Sequence, residues 1–318
     1  MKMKTIIRYI MLALLAVMMG SCSIIYEDLD DCPSPPEPEP VVNATDVTIT
    51  YNLSGVIESD SLMEKSLGSL SSHNYDSYFF DDNSKDFALK TRYSNQGTSL
   101  TIQGEMNINK YMNVAITDVK ETSQVTLSDS SSFTNFSINN ILADSIGSHA
   151  KIMYYALQTM NIDTLNREFT VNLSPMNSVV EVIIDTTAAT QIVKNVTVSI
   201  DSLYTGINFS NDFLYTFSRK EIVKTYRAVA IEQGKLGFVG VGFPSPEEWY
   251  YTVKAALTTG ETVYTRIKVE EKLKPGEKRI LEIKMNESGT IGDQELQQNM
   301  GMSVITTWKE GHTYEPSI

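Results

Sequence analysis

The sequence predicts an all-β protein: two tandem antiparallel β-sandwich domains carried behind a targeting segment and a proline-rich spacer. Three observations predict it. Threonine, serine, valine, isoleucine and tyrosine dominate the body of the 318-residue chain, a composition suited to strands. Apolar and polar residues alternate with period two in segment after segment, as in "DVTITYNL" (46–53), where Val47, Ile49, Tyr51 and Leu53 oppose Thr48, Thr50 and Asn52. Long helical periodicity is scarce and no fixed short period repeats, which argues against βαβ units, solenoids and propellers.

The chain opens on "MKMKTIIR", positive through Lys2, Lys4 and Arg8, and continues into the apolar run "YIMLALLAVMMG". That run is shorter than the roughly twenty residues a membrane-crossing helix needs. Its charged start and small-residue finish are those of an export signal. The small residues Gly20 and Ser21 lead directly into Cys22, and "VMMGSC" resembles the lipobox of bacterial lipoproteins, with Met19 at the usual leucine position. The resemblance implies that residues 1–21 are removed and that Cys22 is the lipid attachment site, its thiol taking a diacylglycerol and its freed amine a third acyl chain. Several acyl chains make a stable anchor where one gives only reversible binding. Lipidation would leave Cys32, the other cysteine, with no partner in the chain, as a free thiol or an intermolecular bridge. Residues 22–42 then form a lipidated leader and spacer. Five prolines fall within residues 33–40, and proline's fixed φ favours a semi-rigid extended stalk that lifts the rest of the chain off the membrane.

Beyond the spacer, period-two patterns recur in "SLTIQGEM" (99–106), "YMNVAITDV" (111–119), "REFTVNL" (167–173), "SVVEVIID" (178–185) and "VTVSIDSL" (196–203). "WYYTVKAAL" and "ETVYTRIKVEE" flank Thr259-Gly260 and read as a long hairpin. "KRILEIKMN" and "MSVITTWKE" close the chain. Helix is expected in "SLMEKSLGSL" (61–70) and in "TAATQIVKN" (187–195). The body is too long for one ordinary domain, and a break near residues 163–172 divides it into an N-terminal sandwich, 43–166, and a C-terminal sandwich, 167–318.

Little in the sequence speaks for catalysis. Lys and Arg number 26 against 39 Asp and Glu, a balance that argues against nucleic acid as partner. His73, His149 and His312 lie far apart, outside any metal-ligand spacing, and read as solvated loop residues. "GFVGVGF" (237–243) has no following helix to hold phosphate and reads as a strand whose glycines admit a close backbone. The acidic runs "FDD" (80–82) and "DLDD" (28–31) lack the rest of a calcium loop and read as solvated turns. In "FPSPEEWYY", Trp249 and the tyrosines begin a strand and are expected to pack in a core rather than stack on sugar. The expectation is a non-enzyme with no cofactor and no bound metal. Asp-Ser/Thr-apolar triplets beginning at Asp60, Asp144, Asp163 and Asp201 resemble O-glycosylation sites of Bacteroides-type exported proteins.

The segment "CSIIYEDLDDCP" is similar to the mature start of FimB/Mfa-type fimbrial anchor lipoproteins of the Bacteroidales. "SYFFDDNSK" (77–85) and "NKYMNVAITDV" (109–119) resemble, in order and spacing, two strand elements of that family's first domain, with Lys110 in place of its glycine and Thr117 in place of its tryptophan. "FTVNLSPMNSVVEVIID" (169–185) is similar to the strand pair that opens its second domain. The resemblance implies two transthyretin-like sandwiches at the base of a fimbria, tethered by lipid in the outer membrane at the cell surface, with fimbrial stalk subunits bound by strand addition. Stalk subunits of the family are cut at an early arginine, which removes the lipid. Here no arginine occurs between Cys22 and Arg92, so the resemblance implies an anchor that keeps it.

A second expectation shares the lipobox, spacer and tandem β domains: a glycan-binding surface lipoprotein of a polysaccharide-uptake system. It requires a solvent-facing aromatic platform, for which Trp249 and Trp308 are the candidates.

Overall fold

The computed structural model describes residues 43–128, 130–141, 145–210, 214–216, 223–226, 228–291, 302–308 and 313–314. Cys22, Cys32, the spacer and His312 lie outside the described residues. Residues 44–318 form one compact unit. Among the described residues it is all-β apart from one short helix, α1 (Ser61–Leu67), and two 3-10 turns.

The first sandwich has two sheets. One is ordered β4–β1–β10, from β1 (Ala44–Leu53), β4 (Ser99–Asn107) and β10 (Glu168–Pro175); the other is β3–β2–β5–β9, from β2 (Ser72–Asp81), β3 (Phe87–Gln96), β5 (Asn109–Thr117) and β9 (Tyr154–Ile162). β1 buries Val47, Ile49, Tyr51 and Leu53, the face its alternation marks. These pack on Tyr75 and Phe79 of β2 and on Tyr111 and Ala115 of β5, and the Tyr51 hydroxyl donates across the core to Ser77 Oγ at 2.8 Å.

β2 and β5 are buried on both faces. Tyr78, Phe80, Val114 and Ile116 point away from the first core into a second apolar layer, where they meet Phe133, Phe136 and Ile138. Phe136 lies 4.8 Å from Tyr78 and 5.4 Å from Phe209 between ring centroids. Over this layer sits a small sheet ordered β14–β13–β7–β6, built from β6 (Val125–Leu127), β7 (Ser137–Asn140), β13 (Gly206–Asn208) and β14 (Leu214–Thr216). It draws strands from both halves of the chain.

The second sandwich pairs the sheet β16–β17–β11–β20 with a longer one ordered β22–β21–β19–β18–β12–β15–β8. The strands are β8 (Ser145–Ile146), β11 (Ser178–Asp185), β12 (Val193–Asp201), β15 (Val223–Tyr226), β16 (Ala228–Glu232), β17 (Lys235–Gly242), β18 (Trp249–Leu257), β19 (Thr262–Val269), β20 (Lys278–Lys284), β21 (Met302–Trp308) and β22 (Thr313–Tyr314). Its core holds Val180, Val182, Val198, Ile200, Phe238 and Trp249 among others. The β18–β19 hairpin forms as the sequence predicts, Tyr251 opposite Ile267 and Ala255 opposite Val263.

The structure corrects several expectations. The sandwiches are not purely antiparallel, because β1 runs parallel to β10 and β11 parallel to β20. β10, read as the first strand of the second half, pairs with β1 of the first. The expected helix over 187–195 is only a 3-10 turn, Thr187–Ala189, before β12 begins. The 61–70 helix stops at Leu67, since Gly68 at φ 78° leaves helical geometry. His73 and His149 are not solvated. His73 lies in β2, buried, its Nδ1 2.7 Å from Asp118 Oδ2, and His149 is buried with Nε2 2.9 Å from Asn140 Oδ1.

Candidate functional site

The two sheets of the first sandwich are joined along one side and separate along the other. β10 pairs with β1 through residues 168–173, and its last two residues, Ser174 and Pro175, pair with Tyr155 and Tyr154 of β9. One strand thus turns the corner between sheets. On the opposite side the sheets end in β3 and β4, and no strand lies beyond either among the described residues. The two are consecutive in the chain, linked through Gly97 at φ 105°, and Asn95 Nδ2 donates to the Ser99 carbonyl at 2.6 Å. An unpaired edge presents free backbone N–H and C=O groups, the usual template for another strand.

Side chains lining this open side follow from strand parity. In β4 the inward positions are Leu100, Ile102, Gly104 and Met106, which oppose Tyr51, Ile49, Val47 and Thr45 of β1. In β3, Leu89, Thr91 and Tyr93 stand beside Phe79, Ser77 and Tyr75. Leu89 and Tyr93 are 37% and 39% exposed on this face, whereas Phe87, across a register shift between Phe79 and Phe80, lies beside Phe80 of the second apolar layer. Thr91 Oγ1 is buried without a hydrogen-bond partner. Burial pushes the Tyr51 and Tyr75 hydroxyls behind this edge up to about 12; Tyr51 donates to Ser77, whereas Tyr75 Oη is buried without a hydrogen-bond partner. On the outward face Lys90 Nζ lies 3.1 Å from buried Asp76 and donates to Tyr78 Oη at 2.8 Å, while Arg92 pairs with Glu121. The open side is therefore apolar within and charged outside. Sequence reasoning did not single out β3, although Phe87, Leu89, Thr91 and Tyr93 alternate with Ala88, Lys90, Arg92 and Ser94.

Other candidate residues sit elsewhere. Cys22 lies outside the described residues. Trp249 is buried and its Nε1 donates to the Glu271 carbonyl at 2.8 Å. Tyr251 is buried beside it, and Tyr250 on the outer face is covered by the Arg266 guanidinium at 4.1 Å. The side chain of Trp308 is outside the described residues. Asp81 of "FDD" accepts from the amides of Asn83 and Ser84, both at 2.8 Å, and Asp82 pairs with Lys85 and Lys110. Those amides hold Asp81's carboxyl below the usual range, as contacts with Lys110 and Lys85 do for Asp82. Among the triplets resembling glycosylation sites, Ser61 and Thr164 are exposed, the latter in a turn whose Leu165 is 90% exposed. Among the described residues no group of three His, Cys, Asp or Glu is placed to hold a metal ion, and no helix is long and apolar enough to cross a membrane.

No family model matches the chain, and no curated protein matches it. Solved structures do. A candidate adhesin from Bacteroides ovatus is similar at TM-score 0.53 and 10% identity, over 86% of this chain and 97% of that one. A candidate polysaccharide-binding protein (DUF1812) from Bacteroides thetaiotaomicron is similar at TM-score 0.52 and 11% identity, over 86% of this chain and 98% of that one. The fimbrial anchor protein Mfa2 from Porphyromonas gingivalis overlaps more loosely, at TM-score 0.44 and 10% identity over 70% of this chain and 82% of that one. At such identities the likeness speaks for architecture alone: the chain has the all-β sandwich fold of the two Bacteroides proteins.

Proposed function

We propose that the chain is a non-catalytic, lipid-tethered subunit of a surface fimbria, held in the outer membrane through Cys22 and engaging a neighbouring fimbrial subunit by strand addition along the open side of its first sandwich. The observation that carries this reading is the pair of edge strands β3 and β4, unpaired on their outer sides among the described residues, which end the two sheets on the same side with apolar residues turned inward. Main-chain hydrogen bonds would supply affinity and alternate side-chain positions selectivity. The adhesin description of the similar Bacteroides ovatus protein agrees with a surface role. β21 pairs with β19 through seven residues, so the C-terminal strand serves its own sheet and the chain is cast as an acceptor. Arg92, the first arginine after Cys22, lies in β3; cutting there would sever an edge of the sandwich, which favours retention of the lipid. The glycan-binding alternative is weakened by the burial of Trp249.

Replacing the native chain by Cys22→Ala in its own host tests the tether, and a photo-crosslinking residue at Thr101, outward on β4, tests the edge. The expected results are fimbriae shed into the medium and a covalent adduct with another surface subunit. Attached fimbriae of normal length in the first case, or no adduct in the second, would remove the corresponding half of the proposal.

A further inference from the structure

We propose that Gly104 is a register-setting notch: a strand from another polypeptide pairs along β4 and lays one bulky apolar side chain over this glycine. The inference rests on the strand-acceptor reading above and adds to it the residue that decides which strand fits and in which register.

Glycine inside a strand weakens it and often marks a place where something else approaches closely. Within this fold the crowded strand glycines obey that rule. A Cβ on Gly240 would overlap the ring of Tyr226, one on Gly237 would meet Leu62 Cδ1 at 2.5 Å, and one on Gly206 would collide with Asn139. In each case another side chain of the same molecule occupies the space the missing one leaves. Gly104, an exposed residue, differs from these three. It stands mid-strand in β4, opposite buried Val47, and a Cβ there would meet nothing within 4 Å. The inward row of β4 is thus Leu100, Ile102, a gap, and buried Met106. Here no side chain of the same molecule covers the glycine, and the space over it is open.

The chemistry of the occupant follows from its surroundings. β4 is nine residues long and ends its sheet, so one side of its backbone faces no strand among the described residues. An extended polypeptide can satisfy such a row of amides and carbonyls continuously. Inward neighbours of the gap are apolar, whereas the outward positions Thr101, Gln103 and Glu105 are polar and exposed. The matching strand alternates apolar and polar residues and carries its largest apolar side chain at the position that falls beside Gly104. The chain's own last long strand does not supply it, being paired to β19.

The test uses the full chain carrying Cys22→Ala and two fluorescein-labelled peptides, KTVTFTVTK and KTVTGTVTK, with binding read by anisotropy. The phenylalanine peptide is expected to bind about tenfold more tightly than the glycine peptide, the scale of burying part of one aromatic side chain. Gly104→Val, whose Cβ has open space, is expected to abolish this preference while leaving the circular dichroism spectrum unchanged and the melting temperature no lower than that of the native chain. Equal binding of the two peptides, or a preference that survives Gly104→Val, overturns the notch and leaves strand addition standing. Binding of neither peptide to a folded chain overturns both.

Discussion

At Gly240 a single hydrogen in place of a methyl group decides how the second sandwich is filled. The buried ring of Tyr226 lies directly over this glycine, where a Cβ would overlap it. Burial also raises the Tyr226 hydroxyl well above its ordinary value, so the ring is held as a neutral, tightly packed group. Gly240→Ala is expected to cost about 1–3 kcal/mol, the usual penalty for overpacking, read as a lower urea midpoint at unchanged slope. Gly104→Ala, with open space around its Cβ, should stay within about 0.5 kcal/mol of the native chain. Equal effects at the two sites would contradict the packing described. Glycines in "GFVGVGF" were legible as points of close approach, but the approaching group is a side chain rather than a backbone, which short-range sequence does not encode. The burial of His73 and His149 escapes a sequence reading for the same reason. His73 finds Asp118 45 positions away and His149 finds Asn177 28 positions away, partners delivered by strand register rather than by spacing.

Among the elements, α1 shows how a seven-residue helix persists. A helix this short is unstable alone, so its ends and its buried face must be held from outside. Asp60 caps it, Oδ1 accepting from the amides of Leu62 and Met63 at 2.9 Å each, while Oδ2 meets the Lys278 ammonium of β20. Although desolvation works the other way, these contacts hold Asp60's carboxyl below the usual range. Lys278 also lies 3.1 Å from Glu181 of β11, whose carboxyl burial pushes up. Leu62 and Met63 are buried, Leu62 against Gly237 of β17. Asp60→Ala is expected to cost about 1 kcal/mol, in the range of a lost N-cap, and Asp60→Asn, which keeps the capping oxygen, to recover much of it. Equal losses in the two variants, measured by chemical denaturation, would assign the effect to the Lys278 pair instead of the cap. The helix is legible in the sequence as a short run over 61–70; its Asp60 cap is not singled out there, nor is the cap's ion partner 218 residues along the chain. Strands show a similar limit. β1, β5 and the β18–β19 hairpin are readable as alternating segments, but β2 is buried on both faces, which erases its alternation. Nor does alternation reveal a neighbour or its direction, so the parallel pairs β1–β10 and β11–β20 had no sequence signal.

Over the whole molecule, the turn at Asp163–Asn166 resembles a domain boundary, with Asp163 accepting from the amides of Leu165 and Asn166 at 2.7 and 2.8 Å. Yet the strand that follows returns to β1, and three further features tie the halves. Met176, Ile207, Phe209 and Phe243 from the second half complete the apolar layer over Tyr78 and Phe80. Val179, Val239 and Val241 pack with the first sandwich's core. The small sheet takes β6 and β7 from one half and β13 and β14 from the other, Ile138 opposite Ile207. Independent domains in one chain usually meet through smaller, more polar surfaces. The expected outcome is therefore a single cooperative unfolding transition for residues 43–318, with tryptophan fluorescence, which reports Trp249 and Trp308 in the second half, and far-ultraviolet circular dichroism, which reports all strands, coinciding in urea. A fragment of residues 43–166 would lack β10 and leave Phe80 and Phe136 without their cover, so it should show no such transition. Two separated transitions in the full chain, or a folded 43–166 fragment, would show that the interface is dispensable and that each sandwich stands on its own core.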